Sequence, residues 1–306
     1  MMYTEVESSE DLNIMKRIKT IITAAAFFFS SAASATALAT TAPELTKSWG
    51  DLPETELSAK SAIVVDWRTG ALLYSKNPDS PRSAASLTKL MTAVIFLEQK
   101  PRWQNSAALL EEDEVGGGRL RLAAGTRLTV KDLFYSALVG SANNAAMALM
   151  RLSGMERLQF IRDMNVRAAT LGMVGTSYVE PTGMSPENVT TARDVIKLAA
   201  YAFANKTIRR ATQTGEYRFK TQKPVIEKRI KNTNSLLLDD NNGLWITGGK
   251  TGYLEEAQYN LVIAAETPGH DKRIIVAILG ADSKQKSFEE AERLVKWAWT
   301  NYEWIK

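Results

Sequence analysis

The sequence predicts a mixed α/β (α+β) fold: an antiparallel sheet built from both ends of the chain, flanked by helices, with a mainly helical subdomain inserted between. Three observations lead there. β-rich runs stand early, at residues 62–66 and 71–75, and again in the last third, at 244–247, 259–265 and 273–279. The stretch between them keeps a helical period. With 306 residues, 45% of them hydrophobic, the chain can bury one large domain or at most two.

The N-terminal region reads differently from the rest. Residues 1–14 are acidic (Glu5, Glu7, Glu10, Asp11), whereas from Met15 the chain turns basic (Lys16, Arg17, Lys19) and then apolar over 21–29. Ala35-Thr36-Ala37 and Ala37-Leu38-Ala39 are small-x-small cleavage sites. Residues 1–39 are therefore expected to be a signal peptide region whose true start is Met15. The alternative is an uncleaved membrane anchor, the one route by which this chain would touch a membrane. Either way the expected workplace is the periplasm or cell envelope. Residues 40–58 read as a polar leader, and 59–306 as a single domain.

Each element has its own signal. Residues 62–66 and 71–75 flank a turn ending at Gly70 and make a hairpin. Residues 86–99 form a helix that is apolar on nearly all sides and so belongs inside the protein. Thr129 and Asp132 open a capped helix that runs to Val139, where Gly140 breaks it, and a second helical run starts at Asn144. Leu158, Ile161, Met164, Ala168 and Leu171 recur at helical spacing until Gly172 stops them. Thr191 and Asp194 start a further helix towards Phe203. The strands at 259–265 and 273–279 are joined by the turn Pro268-Gly269-His270-Asp271. Ser287 caps the final helix, on which Trp297 and Trp304 share one face that packs the helix on the sheet.

Net charge is +4 and pI is near 9.1, with basic residues scattered, which does not favour nucleic acid as a partner. The chain has one histidine and no cysteine, so disulfides, thiolate nucleophiles and the usual zinc ligands are out of reach, and no cofactor is expected.

What remains is lysine-based chemistry. Ser86-Leu87-Thr88-Lys89, Ser141-Ala142-Asn143 and Lys250-Thr251-Gly252 occur in that order across the body of the chain. Residues three apart share a helix face, so Ser86 and Lys89 can meet. Burial disfavours the ammonium, which would leave Lys89 able to take the serine proton. Ser141 and Asn143 follow a helix-breaking glycine, where hydroxyl and amide can face a substrate. Lys250 and Thr251 on a strand edge can hold a carboxylate. Each motif has a plain reading too: Ser86 as a helix cap, Ser141-Ala142-Asn143 as turn chemistry, Lys250 as an edge-strand charge. Ser283-Lys284-Gln285-Lys286 and Ser75-Lys76-Asn77 match the first two patterns by chance, so the ordered set carries the argument.

The chain resembles the low-molecular-mass penicillin-binding proteins, the serine D-alanyl-D-alanine carboxypeptidase and endopeptidase family. The likeness runs from about Ala62 to Trp299 and includes Gly125-Thr126-Arg127-Leu128-Thr129, Glu180-Pro181-Thr182-Gly183-Met184 and Thr191-Ala192-Arg193-Asp194. It implies a β-lactamase/transpeptidase-like fold and catalysis by Ser86 as nucleophile, Lys89 as base and Ser141 as proton relay. It also implies that Asn143, Lys250, Thr251, Gly252 and Tyr253 bind substrate, with the N–H groups of Ser86 and Tyr253 as oxyanion hole. The implied partners are peptidoglycan peptides and β-lactams. A β-lactamase and a non-catalytic penicillin or muropeptide sensor are the alternatives; the first is disfavoured because no Glu-x-x-Leu-Asn is present. The arginine that many carboxypeptidases carry before the final helix is replaced by Ser287-Phe288, with Lys284 or Lys286 left to substitute. That departure, with Asn232-Thr233-Asn234, leans towards the endopeptidase branch.

Overall fold

In the sheet every strand pairs antiparallel, and its apolar residues alternate between two separate cores. The computed structural model describes residues 41–46 and 57–304; the expected signal segment and most of the leader lie outside the described residues. The longer strands among the described residues are β1 (Ser61–Asp66), β2 (Leu72–Lys76), β3 (Glu216–Lys220), β4 (Glu227–Lys231), β5 (Trp245–Leu254), β6 (Gln258–Glu266) and β7 (Arg273–Ala281); shorter ones include Glu44–Leu45 of the expected leader, which pairs with Tyr302–Glu303. The helices are α1 (Thr88–Glu98), α2 (Val130–Val139), α3 (Asn143–Leu152), α4 (Arg157–Thr170), α5 (Ala192–Ala204), α6 (Lys206–Thr212) and α7 (Lys284–Asn301).

The main sheet has the order β5-β6-β7-β1-β2, so strands from both ends of the domain meet at β7–β1. The β1–β2 hairpin closes because Asp66 accepts from the Thr69 backbone N–H and hydroxyl while Gly70 takes a positive φ of 73°. Along β7, Ile275, Ala277 and Leu279 enter one core, and Ile274, Val276 and Ile278 enter the other. This two-residue alternation is what a pleated strand imposes. Since both faces are covered, these strands read in sequence as continuous apolar runs. Helix α7 covers one face with Phe288, Ala291, Leu294, Val295 and Ala298; the helical block covers the other.

Helix α1 runs through the middle of that block, buried from Thr88 to Phe96. Helix α2 opens with the expected capping box, in which Thr129 and Asp132 bond reciprocally, and Gly140 ends it. Thr191 likewise caps α5 by accepting from the Asp194 N–H.

Several expectations need correction. Ser86 lies not in the α-helix but in a 3₁₀ turn (Ala85–Leu87) that leads into it. The cap of α7 is Ser283, whose hydroxyl accepts from the Lys286 N–H, whereas Ser287 sits inside the helix and bonds the Lys284 carbonyl. The strand begun near Leu244 does not stop at Lys250-Thr251-Gly252 but carries through to Leu254. In α4 the buried positions are Phe160, Met164 and Ala168, while Leu158 faces solvent. Trp297 packs edge-on against Tyr74 as expected, but Trp304 lies beyond the helix and donates to Asp66. The β3–β4 hairpin was not among the expected elements. Its inward residues Tyr217, Phe219 and Ile230 pack beside α2, with Tyr217 stacked on Tyr135 and donating to Asp132.

Candidate active site

Three pieces of chain converge on one cleft of about 590 Å³ between β5, the turn before α1 and the loop before α3. Ser86, Ser141, Asn143, Thr251, Gly252 and Tyr253 line it, and Lys89 and Lys250 stand behind them, each about 1% exposed.

Ser86 is presented by a sharp bend. Ala85 before it has φ 46°, a left-handed conformation that costs a non-glycine residue roughly 1–3 kcal/mol. Two close backbone approaches hold it there. A Cβ on Gly183 would lie 1.9 Å from the Ala85 carbonyl oxygen, and one on Gly252 would lie 3.2 Å from the Ser86 nitrogen. Glycine at both positions lets the 180s loop and β5 close on the serine from two sides.

The Lys89 Nζ lies 2.9 Å from Ser86 Oγ, 2.6 Å from Asn143 Oδ1 and 2.6 Å from the Thr182 carbonyl. The last two partners can only accept. A neutral amine has two N–H donors and one lone pair. Spending both donors on Asn143 and Thr182 leaves the lone pair pointing at the Ser86 hydroxyl. Burial drives the Lys89 pKa down to about 7, partly offset by the Glu180 carboxylate. Near neutral pH the amine form is therefore well populated.

Ser141 follows Gly140 with φ 57°, and its hydroxyl accepts from Lys250 Nζ at 2.8 Å. Lys250 also donates to the Thr251 carbonyl. Its pKa lies well below the usual lysine value because of burial and the repulsion of nearby Lys89. Asn143 is held at both ends of its amide, by Lys89 and by the Gly116 carbonyl, and its own N–H donates to Gly118. Its clearest task in this arrangement is to orient the lysine, and a substrate amide would have to replace the Gly116 bond. Thr251 donates to Thr233 Oγ1 at 2.6 Å. Tyr253 is 55% exposed, with its ring 4.6 Å from that of Tyr259.

The eight residues singled out from sequence thus stand around one cleft. Missed as site residues were Thr233, the Gly117–Gly118 stretch and Glu180, although Thr233 and Glu180 lay inside segments already marked for their resemblance. At the far end Lys284, Ser287 and Phe288 complete the lining, while Lys286 pairs with Asp282. His270 bonds Glu266 in its turn and is not part of the cleft lining. Of the chance matches, Ser283 caps α7, with Lys284 reaching the far end of the cleft but not the Ser86–Lys89 pair, and Ser75 and Lys76 lie in β2.

Comparison with known proteins agrees with this geometry. The profile of the D-alanyl-D-alanine carboxypeptidase family, peptidase S11, matches residues 48–283. A D-alanyl-D-alanine endopeptidase of Pseudomonas aeruginosa is 36% identical over 79% of this chain and 77% of its own. A D-alanyl-D-alanine endopeptidase of Escherichia coli is 33% identical over the same shares. The carboxypeptidase DacF of Bacillus subtilis is 30% identical over 80% of this chain and 63% of its own. Among solved structures, the Streptomyces K15 DD-transpeptidase superposes with a TM-score of 0.74 at 29% identity, covering 80% of this chain and 98% of that one. The fold is thus the β-lactamase/transpeptidase-like fold. A match over most of the domain, at sequence and at structure level, decides the matter: the chain belongs to the D-alanyl-D-alanine carboxypeptidase family and is a serine-type D-Ala-D-Ala peptidase.

Proposed function

We propose that Ser86 is the nucleophile that attacks the carbonyl of the penultimate D-alanine of a peptidoglycan stem peptide, with Lys89 as its base. The observation that carries this reading is the Lys89 amine, whose two donors are used by Asn143 and Thr182 and whose third direction faces Ser86 Oγ. Ser86 Oγ bonds to the carbonyl carbon, its proton passes to Lys89, and the oxygen of the tetrahedral intermediate takes the negative charge. The Ser86 and Tyr253 N–H groups serve as oxyanion hole, in keeping with the close approach of Gly252 to the Ser86 nitrogen. The C–N bond then breaks as the acyl-enzyme forms: Ser141, bonded to Lys250, hands its proton to the leaving amine and is reprotonated with the proton that Lys89 took from Ser86, so that Lys89 is neutral again. Water then releases the acyl group.

Lys250 and Thr251 hold the carboxylate of the leaving residue. An arriving anion favours the charged form of Lys250, and a charged Lys250 in turn disfavours a proton on Lys89. The same geometry accepts a β-lactam, whose carbonyl acylates Ser86. We further propose that residues 1–39 are a signal peptide region, that 59–306 form the catalytic domain, and that it works in the periplasm or cell envelope.

The test is to label the protein with a fluorescent penicillin and map the adduct by mass spectrometry. Label is expected on Ser86, with none in Ser86→Ala. Retained labelling of that variant, or an adduct on Ser141, would sink the assignment.

A further inference from the structure

Glu180 is a buried carboxylate that plays no part in the chemistry just described. It is 9% exposed, yet its two oxygens take bonds from one direction of chain. Oε1 accepts from the N–H groups of Gly183 at 2.5 Å and Met184 at 2.9 Å, and from Asn188 Nδ2 at 2.9 Å. Oε2 accepts from the Thr182 N–H at 2.7 Å and its hydroxyl at 2.6 Å. Every partner is a donor, which suits a carboxylate and no other side chain of this size.

The turn held in this way is the one that touches the catalytic pair. Its Thr182 carbonyl accepts from Lys89, its Pro181 carbonyl accepts from Thr92 on α1, and Gly183 lies against the Ala85 carbonyl just before Ser86. Asn188, bonded to Glu180, also donates to Thr88 in the first turn of α1, and its carbonyl accepts from the Ala84 N–H. One carboxylate therefore ties together the backbone on both sides of the Ser86–Lys89 step.

We infer that Glu180 is a positioning residue for the acylation step: it fixes the Thr182 carbonyl that aims the Lys89 lone pair at Ser86. Its negative charge also favours the protonated form of Lys89, against the larger effect of burial. The inference rests on Lys89 being the base. The charged groups near Lys89 are Glu180 from the loop and Lys250 from β5; its other partners, Ser86, Asn143 and the Thr182 carbonyl, are neutral. With its oxygens engaged by the turn, Glu180 is not aimed at the acyl ester and is not a base for its hydrolysis.

Glu180→Gln keeps the shape and removes the charge, and its amide Nε2 must face a backbone N–H or the Asn188 donor, breaking the clamp. The experiment measures the pH dependence of the limiting acylation rate and the prior binding constant for a fluorescent penicillin, together with the unfolding temperature. The expected result has two parts. The rising limb moves to lower pH, because losing the negative charge makes Lys89 easier to deprotonate. The plateau rate falls by roughly 10-fold or more while the binding constant changes by less than about 3-fold, as removal of an orienting contact requires. Glu180→Asp, which keeps the charge but is one methylene short, is expected to restore the wild-type midpoint with a lowered plateau. A folded Glu180→Gln with wild-type midpoint and plateau overturns the proposal, as does a variant that loses only thermal stability. Should Glu180→Gln not fold, a wild-type plateau in Glu180→Asp overturns it instead. Failure of Lys89→Ala to abolish acylation would mark the underlying assignment of the base, rather than the role of Glu180, as wrong.

Discussion

A serine hydroxyl becomes a nucleophile only if a base next to it is unprotonated, and burial favours that state in Lys89, the proposed base. Lys89 has a pKa of about 7 in the folded chain, lowered mainly by desolvation, so protonation below that value removes the lone pair that faces Ser86. The acylation rate constant for a fluorescent penicillin is therefore expected to be low at pH 5, rise through a midpoint near 7 and level off by about pH 8. Stopped-flow labelling across that range checks it, and a flat profile would rule out Lys89 as the titrating base. Lys89→Ala is expected to abolish labelling. At this scale much was legible from sequence. Ser86 and Lys89 are three residues apart at the start of an apolar helix, so local geometry alone brings them together. Thr233 and Glu180 were not legible as site residues, because what makes them matter is contact with distant chain: Thr233 meets Thr251, 18 residues on, and the turn that Glu180 clamps meets Lys89 across 93 residues. A lone threonine or glutamate carries no spacing that announces such a partner.

At the scale of elements, the site depends on how closely backbones approach, and Gly183 is the point of greatest demand. It has φ 82° and leaves no room for a Cβ, which would lie 1.9 Å from the Ala85 oxygen. Gly183→Ala must push the 180s turn away from the Ser86 bend, and is expected to lose both stability, by roughly 2 kcal/mol or more, and most of its acylation rate. Gly154→Ala is the paired control. Its φ is also positive, at 77°, but the space around it is open. It is expected to cost about 1 kcal/mol and leave acylation intact. Calorimetry with penicillin labelling of both variants makes the comparison, and equal acylation in the two would contradict the close-approach argument. The same scale explains why some elements were readable and one was not. Helix α2 carries its own capping box, and the β1–β2 turn carries Asp66, Thr69 and Gly70, so each signals its start or end locally. The β3–β4 hairpin alternates charged residues with Tyr217, Phe219 and Ile230, and that thin apolar face has a meaning only against α2. Likewise β5 looked finished at its glycines, yet those glycines are where Phe203 and Ala85 press on the strand.

Across the whole molecule, two buried lysines and several buried tyrosines link stability to pH. Lys89 binds a proton in the unfolded chain up to its ordinary value of 10.5 but in the native state only up to about 7, and Lys250 shifts in the same direction. Between those values the unfolded state holds more protons, so stability rises with pH. Tyr178 and Tyr217 are shifted the other way by burial and resist ionising in the fold, so stability falls again once unfolded tyrosines ionise above about pH 10. Urea midpoints measured from pH 6 to 11 are expected to climb to a maximum near pH 9–10, and Lys89→Met should flatten the climb. The cleft itself bears on which bond the enzyme prefers. Beyond Ser86 its lining includes Tyr253, Tyr259, Phe288 and Lys284, with no guanidinium among them. An arginine grips a carboxylate with a planar fork, whereas Lys284 offers only a point charge from the surface, so a small leaving group such as free D-alanine is weakly held. A cross-link presents a larger leaving group, which can use the exposed Tyr253 ring and the aromatic wall as well as Lys250 and Thr251. We therefore expect the protein to cleave cross-linked muropeptide dimers at least as efficiently as it trims pentapeptide monomers. Specificity constants on a pentapeptide monomer and a tetra-pentapeptide dimer, with products resolved by chromatography, decide it. Tyr253→Ala should lower dimer cleavage more than monomer trimming, because only the larger leaving group reaches that ring. Strong release of D-alanine from the monomer with the dimer cross-link left intact would place the enzyme among carboxypeptidases and show that Lys250 and Thr251 suffice to hold a terminal carboxylate.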